Sequence, residues 1–453
     1  MKRIALLFLA LISLAGTAQS ATRPRYGGTL RVAVQSAPTA LELPAYSSPT
    51  DYWEMAGILS LVADTLVTIG ATGRPQPALA VYWQHDSTAR HWQFTLRPGI
   101  KFHDGTAAVA AVAQILAALH PDWNVRAASA SPSPDLLVIE TENPSPSLLA
   151  ELALPRNLIL THNSAAIPIG TGPFRVAEFQ PGKSLKLAAS EDAWSGRPFV
   201  DFIEIEFGKS LRDQSLALEV GRLDIVEAIP QPAASSRIRT SSSLPIELMA
   251  LVFSSNSKAQ DPRLRDALAL SIDRKPIQSV LLKGAAEPAA SILPNWMTGY
   301  SAAFPTQPNL QQAKALLVDS HPPALTLSYD ARDPQSQLIA ERIALNAREA
   351  GITLQVSLSG PEDLRLVRIA LPTPDPALAL LEAARELYLP APALRGNSVE
   401  DLYQAERALL SNNAVIPLFH LPVATAAGPR VRRWAPDQLG SLNLQEIWLE
   451  DSR

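Results

Sequence analysis

The fold is decided by the stretch Ile169-Gly-Thr-Gly-Pro-Phe-Arg-Val176 and its continuation Ala177-Glu-Phe-Gln-Pro-Gly-Lys-Ser-Leu-Lys-Leu187. Two glycines and a proline form a turn, and a strand follows in which apolar and polar residues alternate. A second turn at Pro181 and Gly182 leads into another alternating strand, which predicts a β-hairpin with one buried face. We interpret the residues before the hairpin as a first lobe, which the chain leaves and later enters again. The residues after the hairpin are interpreted as a second lobe.

The turn of this hairpin, Gly182-Lys183-Ser184, also matches the end of a phosphate-binding loop. The first glycine of such a loop would stand at position 177, where the chain has Ala177. The preceding residues predict a hairpin arm, whereas a phosphate loop follows a strand and opens a helix. A hairpin turn is therefore the favoured interpretation.

The composition limits the classes of protein that this chain can belong to. Its 453 residues are enough for two or three domains, and an apolar content of 47% can supply their cores. The net charge is −4 and no basic run is present, which argues against a nucleic-acid partner, because that binding depends on clustered lysine and arginine. The absence of cysteine excludes disulfides, thiolate metal sites, thiol catalysis and a lipidated N-terminal cysteine.

The N-terminus has the pattern of a secretory signal peptide. A basic start, Met1-Lys2-Arg3, precedes an apolar run over residues 4–16 that is short for a membrane span. Small residues follow at Ala18 and Ser20, which predicts cleavage after about Ser20 and an exported mature protein. An uncleaved membrane anchor is the alternative interpretation.

Local patterns after the hairpin predict further α/β units. Residues 261–272 are expected to form an amphipathic helix with Asp261 as its N-cap and a proline in its first position. Residues 325–358 predict a strand, a helix over residues 335–350 and a second strand, which is typical of α/β architecture. The polar residues 235–243 are the predicted linker between the lobes.

Three patterns suggest chemistry, and each has a structural alternative. Ser255-Asn-Ser-Lys258 has the spacing of a serine nucleophile with a lysine base, but its companion motifs are missing and a nearby proline disfavours the required helix. His103 and Asp104 could form an acid–base pair, but a turn in which Asp104 caps a backbone amide is favoured. The seven histidines are scattered, and only His85 and His91 are close together, so no metal site is predicted.

A series of segments along the chain matches a known pattern. The most specific of them is Trp92-Gln-Phe-Thr-Leu-Arg-Pro-Gly-Ile-Lys-Phe-His-Asp-Gly105. The others are Gly27-Gly-Thr-Leu-Arg-Val-Ala33, Asp64-Thr-Leu-Val67, Gly73-Arg-Pro-Gln-Pro-Ala-Leu-Ala80, Ile169-Gly-Thr-Gly-Pro-Phe174, Gly221-Arg-Leu-Asp224, Asp261-Pro-Arg-Leu-Arg-Asp-Ala-Leu-Ala-Leu-Ser-Ile-Asp-Arg274 and Ile416-Pro-Leu418. In this order, the segments resemble the extracellular solute-binding proteins of family 5, the peptide- and nickel-binding receptors of bacterial ABC importers.

The resemblance implies an α/β fold, a two-lobed periplasmic binding protein of type II, similar to cluster C, with an extra subdomain inserted in the first lobe. The first lobe would comprise residues 21–45, 168–240 and 430–453, the inserted subdomain residues 46–167, and the second lobe residues 241–429. A hinge lets the lobes close on the ligand, and the closed form docks on the permease subunits in the inner membrane. No catalytic activity, cofactor or metal is expected, and a monomer is the expected state.

The sequence departs from the family pattern where peptide binders carry an aspartate that pairs with the α-amino group of the peptide. Pro372 stands at that position, so a buried ammonium would lack its partner there. The inserted subdomain and the segment 376–401 are also shorter than is usual in the family. The Ala-rich residues 106–113 stand where the family usually has polar residues. The expected ligand is a short peptide or another small organic solute, with neutral or end-blocked ligands included.

Six residues are predicted to contact this ligand. They are two aromatic pairs, one from each lobe, and two further residues of the second lobe: Tyr46, Trp53, Trp296, Tyr300, Asn256 and Pro372. Aromatic side chains in a cleft contribute stacking and about 1.5–3 kcal/mol for each fully buried large side chain.

Two other functions stay open from the sequence. One is a degenerate family member that acts as a periplasmic sensor or partner protein without transport, which the shortened cleft segments suggest. The other is an exported hydrolase that uses Ser255 and Lys258.

Overall fold

The computed structural model describes residues 23–43, 49–70, 73–128, 135–228, 238–299, 306–331, 333–358, 362–394, 396, 398–440 and 444–450. The predicted signal peptide lies outside these residues, and so do Tyr46 and Tyr300. No helix in the described part of the chain has the length and hydropathy to cross a membrane.

Strands occur along the whole described chain. They are β1 (Thr29–Ala33), β2 (Val67–Ile69), β3 (Pro75–Pro77), β4 (Ala80–His85), β5 (His91–Leu96), β6 (Asn124–Ala128), β7 (Leu136–Glu140), β8 (Thr161–His162), β9 (Pro168–Ile169), β10 (Phe174–Gln180), β11 (Ser184–Ala189), β12 (Phe202–Glu206), β13 (Ile225–Ala228), β14 (Arg239–Phe253), β15 (Glu287–Pro288), β16 (Leu325–Ser328), β17 (Leu354–Ser357), β18 (Leu364–Ala370), β19 (Val415–Ala427), β20 (Val431–Arg432) and β21 (Trp448–Leu449).

Helices alternate with these strands. They are α1 (Pro49–Val62), α2 (Ala108–Leu119), α3 (Leu148–Leu152), α4 (Leu211–Glu219), α5 (Pro262–Ser271), α6 (Arg274–Pro276), α7 (Asn295–Thr298), α8 (Leu310–Leu316), α9 (Pro334–Glu349), α10 (Pro376–Glu386) and α11 (Val399–Leu410). A π-helical turn (Ile277–Leu281) extends α6, and 3-10 turns occur at Pro155–Asn157 and Leu444–Glu446.

The largest sheet within the described residues has eleven strands, in the order β10-β11-β12-β1-β13-β19-β14-β18-β16-β17 with β15 paired to β19. Strand β1 is parallel to β12 and β13, and β16 is parallel to β17 and β18, so both halves of the sheet contain parallel neighbours. The predicted hairpin is present as β10 and β11, at one edge of the sheet. The chain is therefore α/β, as the sequence predicts.

Strands β14 and β19 join the two halves of the sheet. They pair along their lengths, from Arg239 opposite Ala427 to Val252 opposite Val415. The register shifts around Pro245, because a proline has no N–H to donate to the ladder. Residues 239–243 were predicted to belong to a linker, which is wrong, because β19 supplies hydrogen-bond partners that make them part of β14.

Separate groups of buried side chains form the cores of the lobes. The core of the first lobe includes the C-terminal residues Trp434 and Ile447, and α1 packs into it through Leu59. The sheet β4-β5-β7-β6 and α2 enclose a core of their own, which is that of the inserted subdomain. Helix α1 thus packs with the first lobe, although the resemblance assigned residues 46–167 to the subdomain.

The predicted helix cap and two predicted turns are present. Asp261 accepts the N–H of Arg263 and caps α5. Gly182 has a φ of +69° in the turn between β10 and β11, so this segment connects two strands and does not open a helix. Asp104 accepts the N–H of Thr106 at 2.9 Å, which confirms the turn interpretation of that motif.

Gly170 and Gly172 allow the loop before β10 to approach the end of α1. A Cβ atom on Gly170 would lie 2.3 Å from the carbonyl oxygen of Val62, and one on Gly172 would lie 2.6 Å from the carbonyl carbon of the same residue. Thr171, between them, donates to Asp64 at 2.8 Å. These contacts fix the hairpin segment to α1, which forms one side of the cavity described below.

The replacement Gly172→Ala is expected to destabilise the protein by about 1–3 kcal/mol, because the added methyl group meets backbone atoms that cannot rotate away. Gly57→Ala in α1 is the matched control, since no atom lies within 4 Å of its Cβ position. Alanine there is expected to stabilise the protein by roughly 0.5–1 kcal/mol. Urea unfolding of both variants measures the two effects, and equal stabilities would contradict the close approach.

Candidate ligand-binding site

A cavity of about 2290 Å³ lies between the two halves of the large sheet. Its first wall is formed by the end of β1, α1 and β13, and its second wall by β14, β18 and the segment after β18. Both walls carry polar and charged side chains among apolar ones. These include Gln35, Ser36, Trp53, Glu54 and Glu227 on the first wall and Glu247, Asp333, Arg368 and Thr373 on the second.

Glu54 and Glu227 form a carboxyl pair on the first wall. Glu54 Oε2 accepts the N–H of Ser36 at 2.9 Å, and Glu227 Oε2 accepts the N–H of Gln35 at 2.8 Å. The fully buried Gln214 donates to the same Glu227 oxygen at 2.8 Å and accepts the N–H of Glu227 at 2.9 Å. These partners are all uncharged donors.

Burial raises the pKa of Glu54 to about 10, and the negative charge and hydrogen bond of Glu227 add to the effect. The Glu54 carboxyl group is therefore protonated at neutral pH, because two neighbouring carboxyl groups without a cation cannot both be ionised at low cost. Glu54 Oε1 is buried and has no hydrogen-bond partner among the described residues.

Arg368 in β18 holds two carboxyl groups on the second wall. Its Nε donates to Glu247 Oε2 at 3.2 Å, its Nη2 donates to the same oxygen, and its Nη1 donates to Asp333 Oδ2 at 3.2 Å. Glu247 is only 1% exposed. Burial raises the pKa of Glu247, whereas the charge of Arg368 lowers it. One guanidinium group thus serves two carboxyl groups at the surface of the cavity.

Trp53 reaches from the first wall towards the second. Its indole N–H has no partner at hydrogen-bonding distance in the described part of the chain. It nevertheless lies close enough to Glu247 to lower the pKa of that carboxyl. The indole therefore connects α1 to the charged cluster of the opposite lobe.

The inserted subdomain touches the second lobe beside the cavity. Arg156 donates to Glu151 of the same subdomain at 2.9 Å and to Glu382 of α10 in the second lobe at 2.6 Å. Leu154 and Leu378 form a small apolar contact next to this ion pair. The subdomain and the second lobe are therefore in contact beside the cavity, and Arg156 contributes to this contact.

The replacement Arg156→Met is expected to remove about 1 kcal/mol from the closed arrangement, because the arginine is partly exposed and its ion pairs are screened by solvent. This loss corresponds to about a fivefold shift towards open forms. Small-angle X-ray scattering should show a larger radius of gyration without ligand. Arg126→Met is the control, since its exposed pair with Glu140 lies within the subdomain. Equal scattering from both variants would contradict a role for Arg156 in closure.

A comparison with protein families identifies the chain. The family model "Bacterial extracellular solute-binding proteins, family 5 Middle" matches residues 74–370, which is more than half of the sequence. The chain belongs to family 5.

Individual relatives are distant. The probable di/tripeptide-binding protein 5 of Pseudomonas aeruginosa is 25% identical over 404 residues, which cover 77% of this chain and 74% of that protein. The nickel-binding protein NikA of Staphylococcus aureus is 26% identical over 235 residues, which cover 49% of this chain and only 48% of the relative. The fold is similar to a dipeptide-binding protein from Pseudoalteromonas sp. SM9913 in complex with Met-Leu, with a TM-score of 0.79, 16% identity, and coverage of 93% of this chain and 100% of that one.

The structure brings two of the six predicted site residues of this family 5 protein to the cavity. Trp53 and Pro372 line it. Asn256 lies in an exposed turn away from the cavity lining, because it falls between β14 and α5. Trp296 is also outside the lining, since its indole N–H donates to the carbonyl oxygen of Pro245 at 2.8 Å, near the register shift of β14. Tyr46 and Tyr300 lie outside the described residues.

The sequence analysis missed the charged residues of both walls. Glu247 stands in the apolar second half of β14 and Arg368 among the apolar residues of β18, and a charge in a buried part of a strand needs a partner. That signal could have been read from the sequence. Glu54 and Glu227 gave no comparable signal, because they lie in α1 and β13, which are far apart in the sequence.

The chemical motifs of the sequence have structural roles here. Lys258 Nζ lies 3.2 Å from Asp363 Oδ2, so this lysine is engaged by a carboxylate, and Ser255 lies in an exposed turn. His103 Nε2 lies 2.9 Å from the carbonyl oxygen of Gly172 and fixes the same loop as Asp64. Among the described residues, no group of three His, Cys, Asp or Glu side chains is arranged to hold a metal ion.

Proposed function

We propose that this protein is the periplasmic substrate-binding component of an ABC importer, which captures a short peptide or another small organic solute and delivers it to a membrane permease. The observation that carries the proposal is the cavity of about 2290 Å³ with one wall on each lobe. Because β14 and β19 connect the lobes, the cavity can open and close around a ligand. Contacts made only in the closed form then shift the population towards it. Membership of family 5 supports the same function.

The proposal includes the organisation and the location of the chain. The first lobe comprises residues 21–45, 168–240 and 430–453, the inserted subdomain residues 46–167, and the second lobe residues 241–429. The packing of α1 supports including residues 49–63 in the first lobe as well. The protein is exported to the periplasm with cleavage after about Ser20, acts as a monomer and catalyses no reaction.

Native mass spectrometry of the protein purified from the periplasm of producing cells tests the function. A bound peptide or small solute that is released on unfolding is the expected result. The protein is then stripped of ligand and titrated with panels of peptides, sugars and nickel complexes in a thermal-shift assay. An unliganded mass together with no shift in any panel would contradict the proposal.

A further inference from the structure

One side of the cavity is lined by the inserted subdomain and by the second lobe together. The subdomain contributes α3 and the turn after it, through residues 150 and 153–155. The second lobe contributes the two ends of α10, through residues 372–374 before the helix and residues 386 and 388 at its end. The cavity is therefore closed on this side by a contact between two separate bodies of the protein.

Among the described residues, this contact is small. Ala150 and Leu154 pack against Leu378 in an apolar cluster that is separate from the core of the subdomain and from the cores of the second lobe. The ion pair of Arg156 with Glu382, at 2.6 Å, lies beside the cluster. A partly exposed ion pair is weak, because solvent screens it. The contact can therefore break without unfolding either partner.

Each side of the contact is anchored in its own body. Leu148 and Leu152 of α3 belong to the core of the subdomain. Leu380 and Ala383 of α10 belong to a core of the second lobe. The contact therefore opens when the subdomain and the second lobe move apart as bodies, each of which keeps its own packing.

Hydrogen bonds connect the lining of the cavity to this contact. Thr373 lines the cavity, is 3% exposed and accepts the N–H of Asp375 at 3.2 Å. Asp375 caps α10 by accepting the N–H of Leu378 at 2.9 Å, and its other carboxylate oxygen accepts the hydroxyl group of Ser147 in the subdomain at 3.4 Å. A ligand that touches residues 372–374 therefore touches the segment that positions the contact.

We propose that residues 147–156 and α10 form a gate, which opens to let the ligand enter or leave the cavity and closes behind it. This inference rests on the proposed function and adds to it the control of ligand exchange. The inserted subdomain is then a moving part of the binding protein. A ligand against Thr373 favours the closed gate, because it holds Asp375 in the position that meets Ser147.

Spin labels test whether the gate opens, and they need no ligand. The chain has no cysteine, so Leu119→Cys in the subdomain and Val399→Cys in the second lobe place labels at two exposed positions only. Double electron–electron resonance measures the distance between them. Arg156→Met in this background is expected to increase the population at longer distances about fivefold, whereas Arg126→Met, which removes an exposed ion pair within the subdomain, should not change it. Identical distributions in both variants would overturn the gate.

A removable cross-link tests whether the gate controls exchange. In Arg156→Cys/Glu382→Cys, a short bifunctional methanethiosulfonate reagent joins the two thiols in place of the ion pair, and a reductant releases it. Cross-linked Leu381→Cys/Arg385→Cys is the control, because both exposed positions lie one turn apart in α10. The probes are the dialysable fractions of a casein digest and of a bacterial cell extract. Native mass spectrometry follows their capture by the stripped proteins.

The wild type and the cross-linked control are expected to capture solutes at the same rate. The cross-linked gate should take them up at least about tenfold more slowly, and reduction should restore uptake. Uptake at the wild-type rate despite the cross-link would overturn the gate and leave the proposed function standing. A wild type that captures nothing from either fraction would contradict the proposed function and, with it, the gate.

Discussion

Replacing Arg368 by methionine is expected to destabilise the unliganded protein by about 3–5 kcal/mol, because it leaves a buried carboxylate without its cation. The carboxylate is that of Glu247, which is 1% exposed and receives two hydrogen bonds from the arginine. Methionine keeps much of the side-chain volume, so the loss reports on charge more than on packing. Urea unfolding at pH 7.5 measures it.

Two further variants separate the charge from the shape of the site. In Glu247→Gln/Arg368→Met, no carboxylate is left unpaired at position 247, so most of the lost stability should return. Arg365→Met, in the same strand, removes an arginine that is 45% exposed and lies 3.9 Å from Glu362, and it should change stability by less than about 0.5 kcal/mol. A double variant as unstable as Arg368→Met would mean that packing around the guanidinium carries the effect.

The same variants bear on ligand binding, since Arg368 lines the cavity. A variant that folds but binds the natural ligand as tightly as the wild type would show that the arginine serves the fold alone. If Glu247→Gln/Arg368→Met regains its stability but binds the ligand as weakly as Arg368→Met does, then Glu247 and Arg368 contact the ligand.

Local patterns were sufficient to predict several elements of the fold, although they missed the start of β14. The alternation in residues 174–187 predicted the hairpin, and the cap at Asp261 predicted the start of α5, because these depend on residues close together in sequence. The position of the hairpin at the sheet edge could not be predicted in this way. It depends on pairing between strands that are far apart in the sequence, such as β14 and β19, and no local pattern encodes that pairing.

The binding site was harder to predict for a physical reason. Aromatic residues were selected because lobed proteins grip ligands with them, but Trp296 uses its indole N–H near the lobe junction. The polar side chains that line the cavity come from the segment after β1, from α1, β13, β14 and β18, and from the N-cap of α9. They become neighbours only when both lobes are assembled. A charge among apolar residues of a strand, as at Glu247 and Arg368, is a sequence signal that indicates a buried ion pair.

The second large effect is expected from Glu54→Gln, which should stabilise the unliganded protein at alkaline pH. Burial raises the pKa of Glu54 to about 10 in the folded protein, from an ordinary value near 4.5. Between these values the unfolded chain is ionised while the folded chain must take up a proton, so folding is penalised increasingly as the pH rises. Glutamine resembles the protonated acid and carries no such penalty.

At pH 8, Glu54→Gln is therefore expected to exceed the wild type in free energy of unfolding by on the order of 2–3 kcal/mol. The difference should shrink as the pH falls and vanish near pH 4.5, because both states of the wild type then hold the proton. Urea unfolding at pH 4.5, 6 and 8 measures this trend, and the exposed Glu219→Gln should show no comparable trend. A variant that is less stable than the wild type at every pH would mean that Glu54 is ionised and well compensated. If the variant gains stability, Glu54 is retained at the expense of stability, as expected for a group that serves a ligand rather than the fold.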